Sequence, residues 1–204
     1  MSHPALRILI LAAGGSTRMG GADKLLEPIN GRPLMAQVMG RALATGLPVA
    51  VTCRSGDAAK LSLIRQTAAT PIEVSDAASG QAASLRAYAH WARAWPAAAV
   101  MVMLADMPDI ETSDLVQMIA AARAHPDRIC RATSENGTPG HPVVFPQALV
   151  AQFEQLQGDR GAGALVRRHG AELVPLPGNR AVTDLDTPQD WAKWRAAQDA
   201  RENG

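Results

Sequence analysis

No run of apolar residues in this 204-residue chain approaches the roughly 18–20 that a membrane-spanning helix requires, so an integral membrane protein is not expected. Cysteine is nearly missing. Cys53 and Cys130 are the only two, lie far apart and match no metal or redox spacing, which argues against a disulfide scaffold and for a reduced, cytoplasmic setting. Aromatic residues make up only 3% of the chain. Alanine supplies much of the 47% hydrophobic fraction, a composition suited to helices packed closely against a sheet. Neither sign of charge dominates: twenty Lys and Arg stand against nineteen Asp and Glu, for a net charge of +1. There is no basic stripe to follow a nucleic-acid backbone, so nucleic acid is not an expected partner. Internal repeats, low-complexity segments and linkers are also missing. The length fits one domain over 1–204, with only about 197–204 expected to fray. No signal segment is expected, because the apolar run at 6–11 is too short and leads straight into glycines.

What is present alternates. Short apolar runs at 6–13, 48–53, 71–74, 98–104, 128–132, 141–145 and 172–176 read as strands. Most are separated by helix-length segments; in 81–95, Leu85, Tyr88, Ala89 and Ala92 fall on one helical face. This alternation predicts an α/β fold, a Rossmann-like three-layer α/β/α sandwich with a mostly parallel sheet. Pro139-Gly140-His141-Pro142 interrupts the pattern, so the run at 141–145 is expected to be an antiparallel insertion. Ligands of such sheets bind beyond the carboxyl ends of the strands. The glycine-rich segment after the first run, Gly80 and Asp106 all fall at that edge.

The first run opens into Ala12-Ala13-Gly14-Gly15-Ser16-Thr17-Arg18-Met19-Gly20-Gly21, followed by Asp23-Lys24. A buried strand that ends in small residues exposes backbone N–H groups, which form a concavity for anions. Arg18 and Lys24 can neutralise a polyphosphate placed there. The segment is not a P-loop, since Gly20 is followed by Gly21-Ala22-Asp23 rather than by Lys-Ser/Thr, and it is not a G-x-G-x-x-G dinucleotide turn. Two readings remain: a nucleotide-phosphate loop of another type, or a tight turn carrying a solvated Arg and Lys.

Two further segments carry candidate chemistry. Asp106 follows the most apolar run of the chain, and Met107-Pro108 stops the strand behind it. A rigid carboxylate at a strand tip suits a divalent cation that also takes phosphate oxygens, although Asp106 could instead cap the helix that follows. In Thr183-Asp184-Leu185-Asp186-Thr187-Pro188-Gln189-Asp190, Thr187 is a good N-cap, Pro188 suits the first helical position and Asp190 completes a near capping box. Asp184 and Asp186 alternate across the extended segment before that helix, so one of them is expected to face the cleft. Both could equally be cap or surface residues.

The order of these residues resembles the signature loop of nucleotidyltransferases that use a nucleoside triphosphate to cap a phosphorylated acceptor. Within that superfamily, which includes molybdopterin-guanine dinucleotide synthase-like enzymes, the chain most resembles the molybdenum cofactor cytidylyltransferases. SGQAASLRA at 79–87, LADMP at 104–108, GTPGHPVVF at 137–145, GDRGAGALVRRHG at 158–170 and TDLDTPQDW at 183–191 follow in the order that family shows. The resemblance implies that Asp106 and Asp186 hold Mg²⁺, with Asp184 in reserve. It implies that Lys24 touches the α- and β-phosphates, that Arg18 steadies the departing pyrophosphate, and that Arg18, Lys24 and Asp106 are the catalytic set. It also places the nucleotide on Leu11, Ala12, Ala13, Gly14 and Gly15, and on Ser79, Gly80 and Ser84. His141 and Asp159 would face the acceptor, although the family commonly has Arg where this chain has Gly163. The implied reaction moves a cytidylyl group from CTP to a molybdopterin-type phosphate, with Ala13 in place of Gly favouring CTP. The partners would be that acceptor and a molybdoenzyme or its maturation factor. GTP or a sugar-phosphate acceptor on the same fold, and a non-catalytic cofactor carrier, are the alternatives.

Overall fold

In the computed structural model, residues 6–15, 23–94, 97–158 and 161–202 are described. The elements run β1 (Arg7–Leu11), β2 (Pro28–Ile29), β3 (Arg32–Pro33), α1 (Leu34–Leu43), β4 (Val49–Arg54), α2 (Ala58–Arg65), β5 (Thr70–Val74) and α3 (Gln81–Ala92). They continue with β6 (Ala99–Leu104), α4 (Thr112–Ala124), β7 (Cys130–Thr133), β8 (Pro139–Pro146), α5 (Gln147–Val150), α6 (Gly163–His169), β9 (Glu172–Pro175) and α7 (Pro188–Glu202).

The unbroken apolar character of β1 follows from its cover on both faces. Ile8 and Ile10 join a core built with α1, α2, α4 and Trp191 of α7. Leu9 and Leu11 point the other way, into a core built with α3, α5 and α6. Residues that alternate along one strand thus supply two cores, as the pleat requires. The result is the expected three-layer arrangement.

The seven-stranded sheet has the order β5-β4-β1-β6-β8-β7-β9. β1, β4, β5 and β6 are mutually parallel, and β8 runs antiparallel to both β6 and β7. The chain builds outward from β1 through β4 to β5, then returns to place β6 on the other side of β1. The point where the order reverses, between β1 and β6, is where open α/β sheets leave a crevice beyond their carboxyl ends. Leu11 pairs with Leu104 at that edge, and the Ala105 N–H donates to the Leu11 carbonyl at 3.2 Å.

The run at 141–145 is antiparallel, as expected: His141 lies within β8, and the His141–Pro142 peptide is cis. Two details depart from the sequence expectation. A hairpin of β2 and β3 occupies 28–33, turned by Asn30 (φ 49°) and Gly31 (φ 75°). Asn-Gly is the dipeptide such tight turns favour, because both positions need positive φ. The segment from 197 is not frayed at its start: α7 continues through Glu202, and Gln198 Nε2 donates to Asp109 Oδ1 at 3.4 Å. Among the described residues no helix is long and apolar enough to cross a membrane.

Candidate active site

The crevice at the β1–β6 edge is a cavity of about 560 Å³. Leu11, Ala13, Gly14, Gly15, Gly80, Ser84 and Asp106, all among the candidate site residues of the sequence, line it. Among the described residues, no atom beyond its chain neighbours lies within 4 Å of where a Cβ on Gly14 would sit. Ala12 and Ser79 are not among the lining residues. Ala12 is buried, with its carbonyl taken by Lys60 Nζ at 3.3 Å, and Ser79 is exposed on the short turn Ala77–Ser79. Arg18 and Asp159 lie outside the described residues.

Gly80 introduces α3 with φ 85° and ψ −171°, a conformation essentially restricted to glycine. It turns the chain so that the first turn of α3 faces the cavity, and Ser84 comes with it. Gln81, which the sequence reading passed over, lines the same wall. Its Oε1 would stand 2.1 Å from a Cβ on Gly161, where φ is 49°, so a side chain there would push the Gln81 amide aside. The Ala82 N–H donates to the Gly158 carbonyl at 3.1 Å. The SGQ and GDRG segments are therefore packed together, although Ala82 and Gly158 lie 76 positions apart in sequence. Arg54, at the end of β4, also reaches the cavity. Its only sequence signal was its place after an apolar run, which is shared by many surface cations.

Asp106 stands just past the end of β6. Its Oδ2 accepts from Lys24 Nζ at 2.5 Å, while its Oδ1 is buried with no hydrogen-bond donor among the described residues. Lys24 Nζ also donates to Asp186 Oδ1. The Leu185 N–H donates to the Asp106 carbonyl at 3.1 Å, which pins the segment between Asp184 and Asp186 against the tip of β6. Behind it, Thr187 and Asp190 exchange the reciprocal bonds of a capping box and fix the entry to α7. Burial by itself would lower the pKa of Lys24, but the Asp106 and Asp186 carboxylates outweigh it and the net shift is upward. Lys24 therefore stays an ammonium.

Asp184 faces a different cavity, shared with Asp109, Arg180 and Lys193. Burial first, and then repulsion from Asp106 and Asp186, raises its pKa. Of the two alternating aspartates, Asp186 is the one that Lys24 joins to Asp106.

The donor set fits a hard divalent cation. An orphaned carboxylate oxygen beside a second carboxylate is what such an ion satisfies. Among the described residues no group of three or more His, Cys, Asp or Glu could enclose a metal. Protein ligation would thus rest on Asp106 and Asp186, and the rest of a shell would come from water and phosphate oxygens, as is usual for Mg²⁺.

His141 lines a smaller cavity of about 140 Å³ with Gln81, Arg131 and Gly163, and its Nδ1 is buried with no partner among the described residues. Burial lowers its pKa, so the ring is neutral near pH 7. Gln81 borders both cavities.

Residues 8–173 match the family of MobA-like NTP transferase domains. The molybdenum cofactor guanylyltransferase of Rhodobacter capsulatus is 31% identical over 195 residues, covering 95% of this chain and 96% of that protein. The bifunctional protein GlmU of Thiobacillus denitrificans is 30% identical over 187 residues, 82% of this chain but 39% of GlmU, so the chain spans about two fifths of that relative. Among solved structures, Rv0371c of Mycobacterium tuberculosis has a TM-score of 0.82 at 27% identity, covering 95% of this chain and 98% of its own. A crystal structure of Rv0371c in complex with manganese is similar as well, with a TM-score of 0.75.

Proposed function

The chain belongs to the MobA-like NTP transferase domain family, and from that premise we propose that it transfers a nucleotidyl group from a Mg²⁺-bound nucleoside triphosphate to the phosphate of a molybdopterin-type acceptor. The observation that carries this reading is the Asp106–Lys24–Asp186 cluster at the β1–β6 crevice, beside the glycine wall. It supplies two carboxylates for a cation and one mobile cation for phosphate.

The acceptor phosphate oxygen attacks the α-phosphorus in line. The new O–P bond forms as the bond to the β-phosphate oxygen breaks, and pyrophosphate leaves with that electron pair. A phosphate monoester is already an anion near neutral pH, so no general base is needed. Mg²⁺ held by Asp106 and Asp186 would neutralise phosphate charge. Lys24 brings a point charge to the α- and β-phosphates, and Arg18 a fork for the departing pyrophosphate. The backbone at Gly14 and Gly15 approaches the phosphates, and Gly80 and Ser84 the nucleoside. Positioning and charge neutralisation then carry the rate. His141, neutral and beside Gln81, faces the acceptor side, and Asp159 is assigned to the same side by sequence.

For the donor, the buried Ala13 on the cavity wall supports CTP, since its methyl narrows the space a purine needs. Guanylyltransferases among the relatives support GTP as the second reading. A molybdoenzyme or its maturation factor is the protein partner this reading proposes, in the cytoplasm. The test is pyrophosphate release with each of four nucleoside triphosphates, with and without molybdopterin, in Mg²⁺ and in Mn²⁺. We expect release only when acceptor and divalent ion are both present, and fastest with CTP. Preference for GTP overturns the base assignment. Turnover with a sugar phosphate but not molybdopterin overturns the acceptor, and tight cofactor binding with no release makes the protein a carrier.

A further inference from the structure

Lys60 breaks two local rules of α2. It lies in the first turn, where the helix dipole disfavours a cation, and it is only 2% exposed, where an ammonium is heavily penalised unless paired. Its neighbours Leu61 and Ile64 are buried apolar residues, so an apolar residue at 60 would suit the helix equally well.

Its ammonium can donate three hydrogen bonds, and three acceptors surround it. Asp23 Oδ2 is 2.7 Å away, the Ala12 carbonyl 3.3 Å and Asp57 Oδ2 3.4 Å. Asp57 belongs to the same helix and caps it, accepting from the Lys60 N–H at 3.1 Å. The other two do not. Ala12 and Asp23 stand on either side of the glycine-rich segment 14–21. Asp23 also accepts from the Leu25 N–H through Oδ1 at 3.0 Å, so the carboxylate that grips Lys60 with one oxygen holds the turn around Lys24 with the other.

We propose that Lys60 is a positioning residue for nucleotidyl transfer, a buried ammonium that clamps both ends of the phosphate loop and so sets where Lys24 is delivered. It does not line the nucleotide cavity and touches no reacting group. The proposal rests on the nucleotidyltransferase reading for what the loop holds, but the clamp itself is a property of the free protein.

The test compares Lys60→Met, which keeps the length and removes the charge, with Asp57→Asn, which keeps the cap acceptor and removes the intrahelical charge. Amide exchange in peptides spanning 12–25 should accelerate about tenfold or more in Lys60→Met while peptides from the sheet stay unchanged, the signature of local opening. With Mg²⁺ present, triphosphate affinity measured by calorimetry with CTP and GTP should fall by about tenfold, and monophosphate affinity by less than about twofold. Asp57→Asn should leave both readings near wild type. If it loosens 12–25 as much as Lys60→Met, or if Lys60→Met leaves exchange there unchanged, the clamp is refuted. If Lys60→Met does not fold, Asp23→Asn, which retains the Oδ1 acceptor for Leu25, should show the same exchange signature, and unchanged exchange in it refutes the clamp. Wild-type protein that binds no triphosphate refutes the functional reading, and the exchange result still decides the role of Lys60.

Discussion

Lys24 and Lys60 are both ammonium groups enclosed by aspartates near one loop, and they differ in what their partners leave over. Around Lys60 the Ala12 carbonyl, Asp23 and Asp57 all lie within 3.4 Å of the ammonium, and Asp23 holds the Leu25 N–H with its other oxygen. Beside Lys24, Asp106 Oδ1 is buried with no donor among the described residues, and the Asp186 side chain is 35% exposed. A carboxylate oxygen left in that state at the mouth of a cavity is what a ligand satisfies. The same residue types therefore serve position in one place and chemistry in the other, and the Asp106 oxygen marks the difference.

The largest effect that can break this contrast is expected at Asp106. Asp106→Asn should leave a folded protein by circular dichroism whose Mg²⁺-dependent pyrophosphate release falls roughly 10²–10⁴-fold. Asp186→Asn should do the same and Asp184→Asn should not, because Asp184 opens into the neighbouring cavity. The reverse pattern would move the ligand by two residues.

Lys24→Ala comes next. It should depress kcat/KM for the nucleotide by about 10²-fold or more, since its charge is aimed at phosphates that become more negative as the bond breaks. Arg18→Lys in the same assay should also lose activity, because a fork is replaced by a point charge. Wild-type behaviour would reduce Arg18 to a solvated residue.

A smaller change is expected on the cavity wall. Ala13→Gly should narrow the preference for CTP over GTP by an amount on the order of 1–3 kcal/mol in competition kinetics, the usual size of shape discrimination without dedicated hydrogen bonds. An unchanged ratio would remove Ala13 from base selection and turn attention to Arg54, which lines the same wall.

The smallest effect concerns His141, whose folded pKa lies below its ordinary value because of burial. The unfolded chain then binds the proton more readily, so this residue costs stability as pH falls below about 6.5, its unfolded value. His141→Asn should shrink the drop in melting temperature between pH 7.5 and pH 5. An undiminished drop would assign the acid sensitivity to other groups.

Much of this architecture was legible along the chain. The seven apolar runs correspond to the seven strands of the main sheet, with shifted ends, because a strand covered on both faces must be apolar at nearly every position. The capping box of Thr187 and Asp190 was legible for a similar reason, since its partners lie three residues apart. The β2–β3 hairpin escaped because two strands of two residues leave no periodicity to detect. Gly140 and Pro142, usual marks of a loop, sit inside β8, yet the apolar run that begins at His141 still marked that strand.

By itself, then, the sequence determined the strand–helix alternation, the glycine-rich loop after β1 and the candidate carboxylates, because each depends on neighbours a few residues apart. Only the tertiary structure decided which carboxylates act together and which lysine serves which purpose. Lys24 meets Asp186 across 162 positions because the segment before α7 is bonded to the tip of β6 beside β1, and Lys60 meets Ala12 across 48 because β4, which leads into α2, pairs with β1. A charged residue's role depends on how many donors and acceptors surround it in space, and that count has no local pattern to announce it.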